Sequence, residues 1–157
     1  MVAFSISPAE AFWVWSPETG KFVNPEGAVQ DTPDDQYRYA MAVYGEGDRE
    51  QAIKELEHLL KHYPGASIAP EVQLKLAVLL EEAQEFKKAF ENYKSLLKNY
   101  PQFEQADEVI RREYDLGHIF LNGLRRKVMG VPILPSVPLA VEVFQHIVDT
   151  APFSAYG

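Results

Sequence analysis

The chain has 157 residues, of which 46% are hydrophobic and 24% charged, and its formal net charge is −8. This length suits one ordinary domain or a short array of helical hairpins, and the negative charge argues against nucleic acid, whose phosphates need a basic protein face. Because the sequence contains no cysteine, disulfides, thiolate catalysis, cysteine-ligated zinc and cysteine lipidation are excluded within it. No apolar run approaches the roughly 20 residues that span a bilayer.

The beginning of the chain differs in composition from the rest. Residues 1–11 end in an A-x-A pattern, which is typical of a signal-peptide cleavage site. We interpret them as the remnant of a signal peptide or as a disordered tail. Residues 12–31 are predicted to form a short extended arm or a small hairpin that carries Trp13 and Trp15. These tryptophans either cap the first helical hairpin or contact a partner or a lipid surface.

Six helices are predicted to follow, arranged in three pairs. Thr32 and Asp48 are good N-cap residues, and apolar residues at helical spacing follow each of them. The predicted helices span about 33–45, 49–63, 70–84, 86–99, 105–127 and 138–150. The corresponding repeats span about 33–66, 70–102 and 105–152, and the third contains an insertion at about 124–137.

The second helix of each pair carries the same register of residues. An alanine is followed by hydrophobic residues four and seven positions later and by a proline at the twelfth position. The first two copies lie 37 residues apart and the third lies 51 further on, which is typical of stacked helical hairpins that cannot bury their apolar faces alone. The three copies are Ala52, Leu56, Leu59 and Pro64; Ala89, Tyr93, Leu96 and Pro101; and Ala140, Phe144, Ile147 and Pro152.

Small residues also mark the first helix of each pair. Ala40 and Ala77 lie 12 residues before Ala52 and Ala89, and Gly117 takes their place in the third repeat. A larger side chain at such a position would push two packed helices apart. We therefore expect these residues to face the neighbouring helix.

The register resembles that of the tetratricopeptide repeat, which has small residues at its eighth and twentieth positions and proline at its thirty-second. Two hairpin endings, Lys61-His62-Tyr63-Pro64 and Lys98-Asn99-Tyr100-Pro101, are similar to those of the BamD-like (YfiO) family of outer-membrane protein assembly lipoproteins. The arm and the insertion are similar to that family as well. The sequence departs from the family in having no lipobox cysteine and fewer repeats than is usual, so it resembles the N-terminal part of such a protein.

This resemblance implies an all-α tetratricopeptide-like superhelix of about three hairpins that acts without catalysis or a cofactor. It implies a periplasmic scaffold, associated with the outer membrane, that binds barrel insertase subunits and unfolded outer-membrane proteins. A cytoplasmic location follows instead if Met1 is the native start. The alternative function is a general tetratricopeptide interaction module whose partner is unrelated to barrel biogenesis.

A peptide-binding groove is expected on the first helices of the pairs, because these helices line the concave surface of such arrays. Aromatic side chains and methionine in an open groove suit a peptide with apolar anchors. The alternative is that several of these side chains pack against the next repeat or the arm. The candidate binding residues are Tyr37, Met41, Tyr44, Leu74, Val78, Tyr114, His118 and Leu121.

The insertion is a second candidate for binding. Arg125, Arg126 and Lys127 precede an apolar, proline-containing stretch that could contact lipid headgroups or an acidic partner. Lipid recognition usually uses four to eight basic residues. The favoured interpretation is therefore a plain loop folded back over the preceding helix.

Enzymatic functions find little support in the sequence. His58 and His62 lie four residues apart on one helix and could both contact a metal, but a third ligand at a suitable spacing is lacking. We expect solvated histidines there and a surface position for His146. Glu81 and its neighbouring glutamates are expected on solvated helix faces rather than in acid–base pairs.

Overall fold

The computed structural model describes residues 14–16, 21–23, 30–128, 131–133 and 135–157, with side chains over 30–123 and 135–157. These residues form six α-helices and four short β-strands. The helices are α1 (Pro33–Gly45), α2 (Arg49–His62), α3 (Ala69–Glu82), α4 (Phe86–Asn99), α5 (Ala106–Asn122) and α6 (Val137–Thr150). The strands are β1 (Val14–Ser16), β2 (Lys21–Val23), β3 (Leu124–Val128) and β4 (Val131–Ile133). The chain divides into two compact units, Met1–Ala69 and Pro70–Gly157.

The first hairpin, α1 and α2, begins each helix at the predicted N-cap. The Thr32 hydroxyl accepts the backbone N–H of Asp35 at 3.1 Å, and the Asp48 carboxylate accepts the N–H of Gln51 at 3.0 Å. Each bond satisfies one of the backbone donors that a helix start leaves without a partner. In a reciprocal capping box, the Gln51 side chain would bond back to the backbone N–H of Asp48. Here it bonds to Glu55 instead, so only the Asp48 side chain caps the helix.

Small side chains lie where the sequence predicts close helix packing. Their burial allows the backbones of two helices to approach without displacing each other. Ala40, Ala52, Ala77 and Ala89 are all 0% exposed, and Ala140 is 1% exposed.

The third hairpin shows the close approach most directly. Gly117 of α5 faces the Phe144 ring of α6, and a β-carbon added to Gly117 would lie 2.7 Å from both Cε1 and Cζ of that ring. Carbon atoms pack favourably at about 3.5–4.0 Å. Glycine is therefore required at this position by contact across the hairpin and not by backbone conformation.

Helix α5 is shorter than predicted. It ends at Asn122 rather than near Lys127, and its C-cap residue Gly123 has φ 68° and ψ 175°. A positive φ is readily adopted by glycine and disfavoured for other residues. The backbone therefore leaves the helix at Gly123, and Lys127 lies in strand β3.

The insertion in the third repeat is a strand pair, so its interpretation as a plain loop was wrong. β3 and β4 pair antiparallel, with Leu124 opposite Ile133 and Val128 opposite Val131, and the register shifts between these pairs. After β4 the chain returns to α5, where the Ser136 N–H donates to the Phe120 carbonyl at 2.6 Å. The inserted residues thus leave and rejoin the hairpin near one end of α5.

The same turn follows the second helix of every hairpin. The residue before each proline ends the helix with φ between −138° and −125° and ψ between 52° and 68°, since proline disfavours the α conformation for the residue that precedes it. Two successive bonds then run from an N–H to the carbonyl three residues back. They link Tyr63, Ala66 and Ala69; Tyr100, Phe103 and Ala106; and Ala151, Ser154 and Gly157.

The strands of the N-terminal arm pair antiparallel. Val14 lies opposite Val23 and Ser16 opposite Lys21, so the backbone adopts the hairpin, one of the two forms that the sequence left open. A two-stranded hairpin by itself is marginally stable in water.

The all-α, tetratricopeptide-like prediction is confirmed. Three helical hairpins follow one another along the chain, and the strands among the described residues lie in the arm and the insertion. Among the described residues, no helix combines the length and the apolar character needed to cross a bilayer.

Candidate functional site

The candidate binding residues of α1 lie on one side of the helix. Tyr37, Met41 and Tyr44 are spaced four and three residues apart and are all half-buried. Side chains at this spacing share a helix face. They therefore offer partly exposed apolar surface at the edge of the interior face, beside the fully buried Ala40.

The candidates of α3 and α5 differ more in exposure. Leu74 and Val78 are half-buried. Tyr114 is half-buried too, whereas His118 is exposed and Leu121 keeps 42% of its surface accessible. Each candidate with a described side chain thus retains accessible surface, so a role in binding stays a prediction for all of them.

Tyr114 and His118 belong to an aromatic cluster that links α5, α6 and the turn after α6. Their ring centroids lie 4.6 Å apart. Phe144 approaches Tyr114 at 5.8 Å and His118 at 5.5 Å, and Tyr156 approaches Tyr114 at 5.0 Å. Aromatic pairs at these distances attract each other. Tyr114 and His118 therefore stabilise the packing of α6 and the following turn against α5, and both also keep solvent-accessible surface.

Glu81 is part of an ion-pair network, and its expected place on a solvated face was wrong. The carboxylate accepts a bond from Arg112 Nη1 at 2.9 Å, and the two side chains are only 20% and 27% exposed. Arg112 also bonds to Glu108 through Nε at 2.8 Å. Burial raises the pKa of Glu81, and the nearby Arg112 opposes that shift. Burial likewise raises the pKa of the Tyr93 phenol beside them, which stays protonated. The network joins α3 to α5.

A buried polar chain that the sequence analysis did not identify closes the first hairpin. Gln36 and Glu55 are 0% and 1% exposed, and Gln36 Nε2 donates to the Glu55 carboxylate at 2.7 Å. The backbone N–H of Gln30 donates to Gln36 Oε1 at 2.9 Å, and the Tyr63 hydroxyl donates to the Gln30 carbonyl at 2.6 Å. These bonds attach the segment before α1 to both helices.

His146 is partly buried, so its predicted surface position was wrong. Its Nδ1 lies 3.0 Å from Oε2 of Glu113, with the two side chains 14% and 0% exposed, and its ring packs edge-on against Phe90 at 5.9 Å. Burial raises the pKa of the Glu113 carboxyl more than His146 and Lys94 lower it. The pair joins α5 to α6 and contacts α4.

These two buried pairs occupy related positions in the repeats. The first helix of each hairpin has a buried polar side chain four residues before its small residue: Gln36, Gln73 and Glu113. This spacing is visible in the sequence and could have identified the three positions, because the small residues already set the register. A polar group that is buried must find a hydrogen-bond partner inside the fold.

The two histidines of α2, His58 and His62, lie close to each other. Their ring centroids lie 6.5 Å apart, and His58 Nδ1 is 3.9 Å from Glu55 Oε2. Within the described part of the chain, no group of three or more histidine, aspartate or glutamate side chains is placed to hold a metal ion.

Some predicted contact residues cannot be placed. Trp13 lies outside the described residues, as do the side chains of Trp15, Arg125, Arg126 and Lys127. Their part in binding a partner or lipid stays a prediction from the sequence.

The whole helical region agrees with one protein family. A family model described as YfiO, outer membrane lipoprotein, matches residues 29–157. The chain belongs to the YfiO family. The matched range begins just before Gln30 and contains all three hairpins, so the resemblance inferred from the hairpin endings is confirmed. Comparison with individual curated proteins gave no significant match.

Membership of the YfiO family relates this chain to the outer membrane, since the family is one of outer membrane lipoproteins. The polar networks of the hairpins have structural partners that account for them: Glu81 pairs with Arg112, and Glu113 pairs with His146. Among the candidate binding residues on the helices, the side chains that keep accessible surface are chiefly aromatic and apolar groups. Such groups are suited to contact with another polypeptide.

Proposed function

We propose that this protein is a non-catalytic scaffold that binds protein segments during the assembly of outer-membrane proteins. The observation that carries the proposal is the match of the YfiO outer membrane lipoprotein family to residues 29–157. The partners that fit are subunits of the barrel insertase and unfolded outer-membrane proteins, encountered on the periplasmic side of the outer membrane. Peripheral attachment to that membrane is part of the proposal.

The half-buried face of α1 supports this function. Tyr37, Met41 and Tyr44 offer two aromatic rings and one flexible thioether at helical spacing. Tyrosine contributes a large contact area at a small loss of side-chain entropy, and methionine adapts to partners of different shape. An unfolded barrel strand exposes alternating apolar side chains, which this surface can contact without recognising one sequence.

Binding to an unfolded outer-membrane barrel protein tests the proposal. The polypeptide, labelled with a fluorophore and diluted from urea, is titrated with the full chain, and fluorescence anisotropy gives the affinity. We expect the double variant Tyr37→Ala, Met41→Ala to bind roughly 10-fold more weakly, because two partly buried contacts are lost. Val141→Ala on α6, where the valine is 60% exposed, is the matched apolar control and should bind like the wild type.

Two further measurements make the result decisive. Tyr37→Phe keeps the ring and should keep the affinity, and thermal unfolding verifies that each variant is folded. Unchanged affinity in the folded double variant would remove the α1 face from the binding site. Equal affinity for a denatured cytosolic protein would favour a general interaction module over a role in barrel assembly.

A further inference from the structure

A surface cavity lies at the turn between α4 and α5. Its volume is ≈ 490 Å³, within the range of about 300–1,000 Å³ that is usual for ligand pockets. The first turn of α3 forms one wall, and the turn that links α4 to α5 forms the other. The lining residues are Pro70, Glu71, Tyr100, Pro101, Gln102, Phe103, Glu104 and Gln105.

The cavity has a rigid frame. The backbone N–H of Tyr100 donates to Leu96 at 2.9 Å, that of Phe103 donates to the Tyr100 carbonyl at 3.0 Å, and that of Ala106 donates to the Phe103 carbonyl at 3.1 Å. Proline fixes φ at the position after Tyr100. A ligand would therefore lose little affinity to ordering the turn.

The side chains of Phe103 and Glu104 are not needed to form this turn. The turns after α2 and α6 have the same backbone bonds but small or uncharged side chains at the same places. Phe103 and Glu104 therefore give this turn a chemistry that its geometry does not require. At the position of Phe103 the other turns have Ala66 and Ser154, and at that of Glu104 they have Ser67 and Ala155.

The charge of the cavity is negative. The side chains of Glu71 and Glu104 are exposed and have no ion pair or hydrogen bond to another residue in the described part of the chain. No lysine or arginine lines the cavity. Carboxylates beside an aromatic ring attract a cation, the ring through its negative face and the carboxylates through charge and hydrogen bonds.

We propose that this cavity binds an arginine or lysine side chain of a partner polypeptide. The Phe103 ring contacts the aliphatic stem and the charged head of the bound side chain, and Glu71 and Glu104 neutralise its charge. The partner residues on either side extend over Pro70 and Pro101. The inference rests on the proposed binding function and adds a specific preference to it, for segments in which a basic residue stands among apolar ones.

The test uses a capped peptide of alternating leucine, serine and arginine, with one matched peptide in which citrulline replaces arginine and another in which glutamate does. Citrulline keeps the shape of arginine and removes its charge. Each peptide is titrated into the isotope-labelled full chain, and backbone amide shifts are followed by NMR. We expect the arginine peptide to shift the amides of 71 and 100–105 and to bind roughly 10-fold more tightly than either matched peptide.

Variants identify the groups responsible. Phe103→Ala and the double variant Glu71→Gln, Glu104→Gln should each weaken binding of the arginine peptide roughly 5- to 10-fold. Glu57→Gln, which changes an exposed carboxylate on α2, should leave it unchanged. Thermal unfolding checks the fold, which Phe103→Ala should keep because alanine occupies the equivalent position at Ala66.

The inference is overturned if the arginine peptide leaves these amides unshifted at millimolar concentration, if citrulline binds as well as arginine, or if Phe103→Ala binds normally. Titration of the same variants with the unfolded barrel protein separates this outcome from failure of the proposed function. If Phe103→Ala still binds the unfolded barrel protein while the arginine peptide does not bind, the scaffold function is retained and only the role of this cavity is excluded.

Discussion

Substituting Gly117 by alanine is the most direct test of the packing between α5 and α6. The added methyl group would lie 2.7 Å from two atoms of the Phe144 ring and 3.2 Å from a third. The ring cannot turn away freely, because it also contacts Tyr114 and His118. The substitution therefore forces either the ring or the helix to move.

Two opposing effects determine the size of the change. Overpacking in a well-packed contact costs about 1–3 kcal/mol, whereas replacing glycine by alanine inside a helix stabilises by roughly 0.5–1 kcal/mol. We expect Gly117→Ala to lower the free energy of unfolding by about 1–2 kcal/mol. Urea denaturation followed by far-ultraviolet circular dichroism measures this change.

A double-mutant cycle with Phe144→Leu shows whether the ring is the cause. Leucine lacks the Cε1 and Cζ atoms that the new methyl group would meet, so the alanine should be tolerated better beside it. We expect a coupling of about 1 kcal/mol or more in favour of the double variant. If Gly117→Ala is more stable than the wild type, or if the two substitutions are additive, close contact across this hairpin is not what selects glycine.

Two further predictions concern the buried interior. Ala89→Leu should lower the free energy of unfolding by about 1–3 kcal/mol through overpacking, because Ala89 is fully buried. The control Ala42→Leu, at an exposed position, should change the free energy of unfolding by less than about 0.5 kcal/mol. Equal effects of the two substitutions in urea denaturation would contradict close packing at Ala89. Burial raises the pKa of the Glu113 carboxyl above its ordinary value of 4.5, so the folded state holds the carboxyl proton more tightly than the unfolded chain does. The contribution of Glu113 to stability therefore falls as the pH rises through the folded-state pKa. Urea denaturation gives the free energy of unfolding of the wild type and of Glu113→Gln at each pH. The wild type should lose stability relative to the variant as the pH is raised above about 4.5, and a gain would contradict a raised pKa of Glu113.

The helical hairpins could be predicted because their signals are local. Proline disfavours the helical conformation for the residue before it, so Tyr63 and Tyr100 end α2 and α4 as expected. Thr32 and Asp48 begin α1 and α2 for a similarly local reason, a side-chain bond to the backbone three residues ahead. Neither signal depends on distant parts of the chain.

The end of α5 could not be predicted in the same way. Gly123 follows a long helical pattern, and an isolated glycine is tolerated within a helix. The backbone turns out of the helix at Gly123, which has a positive φ, and enters β3, which pairs with β4. This strand pairing involves residues beyond the helix. The basic residues that follow Gly123 do not form a pattern that predicts a strand.

The buried polar residues were missed for another reason. Composition places glutamine, glutamate and histidine on the surface, and His146 was assigned there by analogy with the histidines of α2. The register itself held the contrary signal, since Gln36 and Glu113 each stand four residues before a small residue that must face the neighbouring helix. A side chain one helical turn from such a contact lies on the same face.

The repeats thus share a backbone and differ in side chains at two kinds of position. Inside the hairpins, Gln36 pairs with Glu55 in the first and Glu113 pairs with His146 in the third. Neither pair can be exchanged for the other without leaving a buried group unsatisfied, which costs about 1–3 kcal/mol. In these two hairpins, the first helix is therefore matched to its own second helix. At the turns the backbone bonds form with phenylalanine, alanine or serine alike, so side chains there can differ without changing the backbone, and the proposed cavity depends on such a difference.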